Sequence, residues 1–208
     1  TPGNLDTVKE AAKADLEKAA QAEKAEIAAD KSLTEAERKE KETAVDTKKA
    51  EEEAKITAAE NADKVAEAKT AGETAIKGVH TPGNLDTVKE AAKADLEKAA
   101  QAEKAEIAAD KSLTEAERKE KENAVDTKKA EEEAKITEAE NADKVAEAKT
   151  AGEAAVKAVH TPGNLDTVKE AAKADLEKAA QAEKAEIAAD KSLTEAERKE
   201  KENAVDTK

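Results

Sequence analysis

Cysteine, methionine, phenylalanine, tyrosine and tryptophan are all missing from this 208-residue chain. Without cysteine there is no disulfide framework and no thiolate metal site. That fits an exported protein and a cytosolic one equally. Without aromatic rings there is no platform on which nucleic-acid bases could stack, and the residues that dominate protein-binding hot spots are largely missing. A basic surplus is lacking too: 37 Lys and Arg stand against 51 Asp and Glu, a net charge of −14. This disfavours both nucleic acid, whose phosphates need a basic surface, and anionic membrane surfaces. No apolar run approaches a membrane span. No export signal is visible, and Thr1-Pro2-Gly3 reads as the middle of an array rather than a natural start.

What is present is repetition. Residues 1–80 and 81–160 differ at five positions: Thr43/Asn123, Ala58/Glu138, Thr74/Ala154, Ile76/Val156 and Gly78/Ala158. Residues 161–208 match 81–128 without a change. The domains are therefore expected to be two full helical repeats, 1–80 and 81–160, and a partial third, 161–208, though the structural unit could be permuted relative to this numbering. Alanine, glutamate and lysine dominate, all strong helix formers, and β-branched residues never alternate as in a strand. The large apolar residues of one copy are few: Leu5, Val8, Leu16, Ile27, Leu33, Val45, Ile56, Val65, Ile76 and Val79. Such a repeat is expected to be marginal alone and stabilised in the array.

Breaks are sparse and so informative. Thr1-Pro2-Gly3-Asn4 suits a type II turn. Thr7 with Glu10 has capping-box spacing, with Asp6 an alternative cap, and the first helix should run from about Asp6 to Asp30. Its expected buried face is Val8, Ala12, Leu16, Ala19 and Ile27, with Glu23 interrupting the row. A second break covers Asp30-Lys31-Ser32-Leu33-Thr34, after which Thr34 and Glu37 form another capping box. On the second helix Ala36, Thr43, Ala44, Thr47, Ala50 and Ala54 form the expected contact row, with Val45 and Ile56 beside it; the alanines there would permit close approach of helices. Asn61 either caps a third helix, with Asp63 in its first turn, or lies inside one helix from Thr34 to Val79. Val65, Ala68, Gly72, Ala75 and Val79 make its seam, with Ile76 flanking. Glu35–Lys39, Glu37–Lys41, Glu51–Lys55, Glu60–Lys64 and Glu73–Lys77 are spaced for i,i+4 ion pairs on solvated faces.

The predicted fold is all-α: tandem three-helix bundles in spectrin-like up-down-up order, stacked end to end into an elongated rod. An odd number of helices hands the chain on from the end opposite its entry. The partial copy should be the least stable region, with fraying around Asn203–Asp206.

No catalytic, cofactor-binding or metal site is expected. His80 and His160 could be pH switches or ligands; the plainer role is a polar residue at a helix C-terminus. Glu51, Glu52 and Glu53, with Glu131, Glu132 and Glu133, diverge around a helix and lack the loop that calcium needs. Ser32, Ser112 and Ser192 have no local base or oxyanion hole and read as loop and cap residues. The glycines form no phosphate loop, and Gly72 is expected to allow close packing.

The motifs Ala22-Glu23-Lys24-Ala25-Glu26-Ile27, Leu33-Thr34-Glu35-Ala36-Glu37 and Ala62-Asp63-Lys64-Val65-Ala66-Glu67-Ala68-Lys69-Thr70-Ala71-Gly72 resemble the tandem helical repeats of giant cell-wall-anchored surface proteins of Gram-positive bacteria, the Ebh-type matrix-binding proteins among them. The resemblance implies an extracellular, wall-anchored stalk that projects an adhesive domain, with neighbouring repeats as partners, a monomeric chain, and no catalytic residues. Two alternatives are a repeated module that binds a host matrix or serum protein, and a disordered, hydration-protective protein of the late-embryogenesis-abundant kind.

Overall fold

A computed structural model describes residues 3–208; Thr1 and Pro2, and with them the first expected type II turn, lie outside the described residues. The described residues form eight helices and no strand: α1 (Leu5–Ala29), α2 (Glu35–Ala58), α3 (Ala62–Lys77), α4 (Leu85–Ala109), α5 (Glu115–Glu138), α6 (Ala142–Lys157), α7 (Leu165–Ala189) and α8 (Glu195–Thr207). The chain divides into two compact units, Thr1–Gln101 with Asp126–Lys157, and Ala102–Val125 with Ala158–Lys208.

Each helix start has a chemical cause. Asn4 caps α1, its side chain accepting from the Asp6 N–H at 2.9 Å. Neither Thr7 nor Asp6 is the cap: starting at Leu5 lets the Val8 N–H reach the Asn4 carbonyl, a bond a later start would forgo. The Thr34–Glu37 capping box opens α2 as expected. Asn61 caps α3 by accepting from the Lys64 N–H at 2.9 Å, so helices 2 and 3 are separate.

In the first unit α1, α2 and α3 all pack on one another around Ala12, Leu16, Ala20, Ile27, Val45, Ile56, Val65 and Ile76. Two expected faces need correction. On α1, Glu23 is buried and Val8 is 41% exposed. At about 100° per residue, Glu23 falls among Ala12, Leu16 and Ile27, while Val8 falls at the rim. On α2, Val45, Glu52 and Ile56 are buried, whereas Ala36, Thr43, Ala44, Thr47, Ala50 and Ala54 are exposed. Most of that small-residue row lies about 180° from Val45 and Ile56. Its threonines satisfy their hydroxyls on their own helix, Thr43 donating to the Lys39 carbonyl and Thr47 to the Thr43 carbonyl.

Close approach comes instead from Gly72 of α3, where a Cβ would stand 2.9 Å from Leu16 Cδ2 and 3.1 Å from Glu52 Cβ. The α3 seam holds otherwise, with Ile76 buried at its centre rather than on its flank. Ion pairs link the helices at their edges, Lys24 with Asp46, Lys49 with Glu17 and Lys69 with Asp15. Along the helices Glu35–Lys39 forms as expected, but Lys48 pairs with Glu51, Lys55 with Glu52 and Lys64 with Glu67, each three residues apart.

The second copy repeats this arrangement where it belongs to the first unit. Lys129 pairs with Glu97 and Lys149 with Asp95, and Gly152 again faces Leu96 and Glu132. In the second unit α7 packs on α8. Leu176 there is 71% exposed, against 0% for its counterparts Leu16 and Leu96, because this sequence carries only the first helix and part of the second of that copy. Residues 203–206 are helical, within α8.

Candidate functional site

Two places gather polar groups from distant parts of the sequence: the linker after α3, and the corner where the second copy meets the first.

The linker is organised by Asp30. Its Oδ1 accepts from the Ser32 N–H at 2.9 Å and the Ser32 hydroxyl at 2.5 Å. Its Oδ2 accepts from the Gly83 N–H at 3.0 Å and lies 2.9 Å from His80 Nε2. Glu23, the buried carboxylate of α1, accepts from the His80 backbone N–H at 2.9 Å. Thus α1, the α1–α2 loop and the linker are tied together by two carboxylates. The Asp30 carboxyl is pushed up by burial, but the bonds from Ser32 and Gly83 and the neighbouring His80 outweigh that and hold it at about 2. The second unit builds the same latch from Glu103, Asp110, Ser112, His160 and Gly163.

This geometry corrects two expectations. His80 and His160 are buried beside a carboxylate, not displayed at a helix end. The Nε2 contact is close, yet it lacks the alignment of a hydrogen bond. Thr81-Pro82-Gly83-Asn84 is also no type II turn, since no described glycine has a positive φ. Gly83 serves close approach instead: a Cβ there would collide with the Ser32 hydroxyl.

Ser32, Asp30 and His80 are the residue types of a hydrolytic triad, in an order unsuited to one. A triad places histidine between serine and carboxylate so that it can take the serine proton. Here the carboxylate sits between, and the Ser32 hydroxyl donates to it while facing Gly83. Among the described residues no group of three or more His, Asp or Glu is placed to hold a metal ion. Glu51, Glu52 and Glu53 do diverge: Glu51 pairs with Lys48, Glu52 is buried with Oε1 on Lys55, and Glu53 is half-buried.

The second place is a corner inside the first unit. The Ala142 N–H, in the first turn of α6, donates to the Lys31 carbonyl at 2.8 Å. In return the Asp143 carboxylate accepts from the Glu35 N–H, at 3.2 and 3.1 Å to its two oxygens, and from the Arg38 guanidinium at 3.2 Å. Two helix N-termini have backbone N–H groups without a partner inside their own helix; here that of α6 is met by the α1–α2 loop and that of α2 by the Asp143 side chain of α6. Ala139 and Ala142 are buried there, at 8% and 3% exposure. Arg118 of the second copy turns instead to its own loop, donating to the Asp110 carbonyl at 3.4 Å.

Sequence comparison adds one match. The family described as Domain of Unknown Function (DUF1542) matches residues 8–84 and again 88–164. It is the repeat domain of Ebh-type Gram-positive surface proteins, and it is not a known enzyme family. No curated protein matches the chain, and no solved structure does. No helix among the described residues is long and apolar enough to cross a membrane.

Proposed function

We propose, from the premise that this chain belongs to the DUF1542 family, that its repeats are spacers: they hold a distal binding domain away from the wall of a Gram-positive cell. The supporting observation is the corner at Lys31 and Ala142. Neighbouring copies are joined by backbone groups and by Asp143, at a position every full copy fills with aspartate. A joint built from repeated parts serves a protein whose property is length. We take the repeat boundaries as 1–80, 81–160 and 161–208, the chain as monomeric and free of catalytic or metal sites, and its home as the cell exterior, anchored to the wall.

The first copy's single arginine, Arg38, is engaged with Asp143. It is not offered to a partner, which weighs against a repeated host-binding module, given how often such anchors are Trp, Tyr or Arg. Capped helices around a shared core weigh against the disordered, hydration-protective alternative. The test is to display chains of one to four copies on a Gram-positive wall with a distal epitope. Antibody access through the surface polymer should rise with copy number. Equal access at every length would contradict the spacer, and saturable retention of a serum or matrix protein by a single copy would favour the binding module.

A further inference from the structure

We infer that the corner formed by Ala59, Ala62 and Asp63 in the first copy is a docking surface for the α1–α2 corner of another copy of this repeat placed ahead of it. The inference stands on the joint between copies and does not depend on where the protein resides.

The same chemical surface occurs twice in two states. In the second copy Ala139 and Ala142 are buried and Asp143 is half-buried, held against Lys31, Glu35 and Arg38. In the first copy Ala59 is half-buried, and Ala62 and Asp63 are exposed. Residues 59–73 and 139–153 are identical, and the nearest differing pair, Ala58 and Glu138, is exposed in both copies. The open corner therefore carries every group the occupied one uses.

Those groups define the occupant. Two alanines allow backbone to approach closely. The Ala62 N–H stands at a helix N-terminus and calls for a carbonyl, as Ala142 finds in Lys31. The Asp63 carboxylate calls for a positive helix N-terminus bearing a guanidinium, as Asp143 finds in Glu35 and Arg38. A segment that supplies a loop carbonyl, a helix N-terminus and an arginine four residues past its cap is the Lys31–Arg38 segment of this repeat. The patch is small, so it works where a linker supplies a high effective concentration, of the order of mM. Separate chains in dilute solution are not expected to pair through it.

The test compares Asp143→Ala with Asp63→Ala in the present chain by hydrogen exchange and mass spectrometry. The Ala58/Glu138 difference gives the two corner peptides distinct masses. Each variant loses the same first-turn carboxylate, so the local helix-dipole effect cancels between them. Loss of charge-assisted bonds should speed exchange around Ala142 roughly tenfold in Asp143→Ala, beyond any change around Ala62 in Asp63→Ala. A chain extended at its start by one more copy of residues 1–80 should protect the Ala62 peptide, and Asp63→Ala should then act as Asp143→Ala does. Equal effects in the present chain, or no new protection in the extended one, would overturn the inference.

Discussion

The imidazole Nε2 of His80 lies 2.9 Å from Oδ2 of Asp30, with 1% and 7% of the two side chains exposed. The same Asp30 oxygen accepts from the Gly83 N–H, so one carboxylate holds both sides of the Thr81-Pro82 linker. The charge on Asp30 is thus part of what holds the linker to the bundle.

Acid should release it. The Asp30 carboxyl is lowered from 3.8 to about 2 in the folded chain, and Asp110 is lowered in the same direction. A depressed carboxylate contributes stability that is fully present above its unfolded value and lost as pH falls through its folded one. Melting temperature, followed by helical circular dichroism, should therefore fall as pH drops from 3.8 toward 2. In a chain carrying Asp30→Asn and Asp110→Asn, the melting temperature should start lower at neutral pH and decline less across that window.

The buried Glu23 gives a second prediction. Its Oε1 accepts from the His80 N–H inside the bundle. Glu23→Ala removes that acceptor and leaves a buried donor unpaired, a loss of about 1–3 kcal/mol. Glu23→Gln keeps an oxygen in place and should cost less. Chemical denaturation of both variants in a one-copy or two-copy chain measures the difference.

Glycine substitutions separate packing from helix propensity. An alanine at Gly72 gains about 1 kcal/mol of propensity, but its Cβ meets Leu16 and Glu52 at 2.9 and 3.1 Å. Overpacking of that kind costs about 1–3 kcal/mol, so Gly72→Ala should be neutral to destabilising. Gly78→Ala, whose Cβ comes no closer than 3.4 Å to its neighbours, should be neutral or stabilising. The second copy already carries Ala158 at that position. Thermal melts of the two variants should rank Gly72→Ala below Gly78→Ala.

Gly83→Ala tests the linker by shape alone. The new methyl collides with the Ser32 hydroxyl, and the Gly83 N–H is drawn off Asp30. Exchange of linker amides should quicken in Gly83→Ala, and Ser32→Ala in the same chain should recover part of the protection. Unchanged exchange in the single variant would show that the linker does not need this close approach.

The start of α2 is readable because its cause is local, Thr34 and Glu37 lying three residues apart; Asn61 has the same spacing to the Lys64 N–H but leaves a continuous helix open, and at α1 the competing capping pair Thr7 and Glu10 masks the true cap, Asn4. On α2 the row of small residues has the spacing of a contact face, but the two large apolar residues, Val45 and Ile56, mark the buried side. Glu23 interrupts the apolar row of α1 because its partner is His80, 57 residues on. A charged residue centred on an apolar stripe, together with the only histidine of the copy, was the available signal. The corner at Lys31 and Ala142 was beyond reach: its Ala142–Lys31 bond joins backbone groups, which leave no trace in residue type, and its ion pair joins Arg38 to Asp143, 105 residues on.

Copies joined in fixed order would turn repetition into length. Small-angle scattering of chains with one, two, three and four full copies measures this most directly. A helix of about 25 residues spans roughly 38 Å, so each copy should add a constant increment of roughly 35–45 Å to the maximum dimension. Increments that shrink with copy number, as for a flexible string or a compact particle, would rule out a fixed joint between copies.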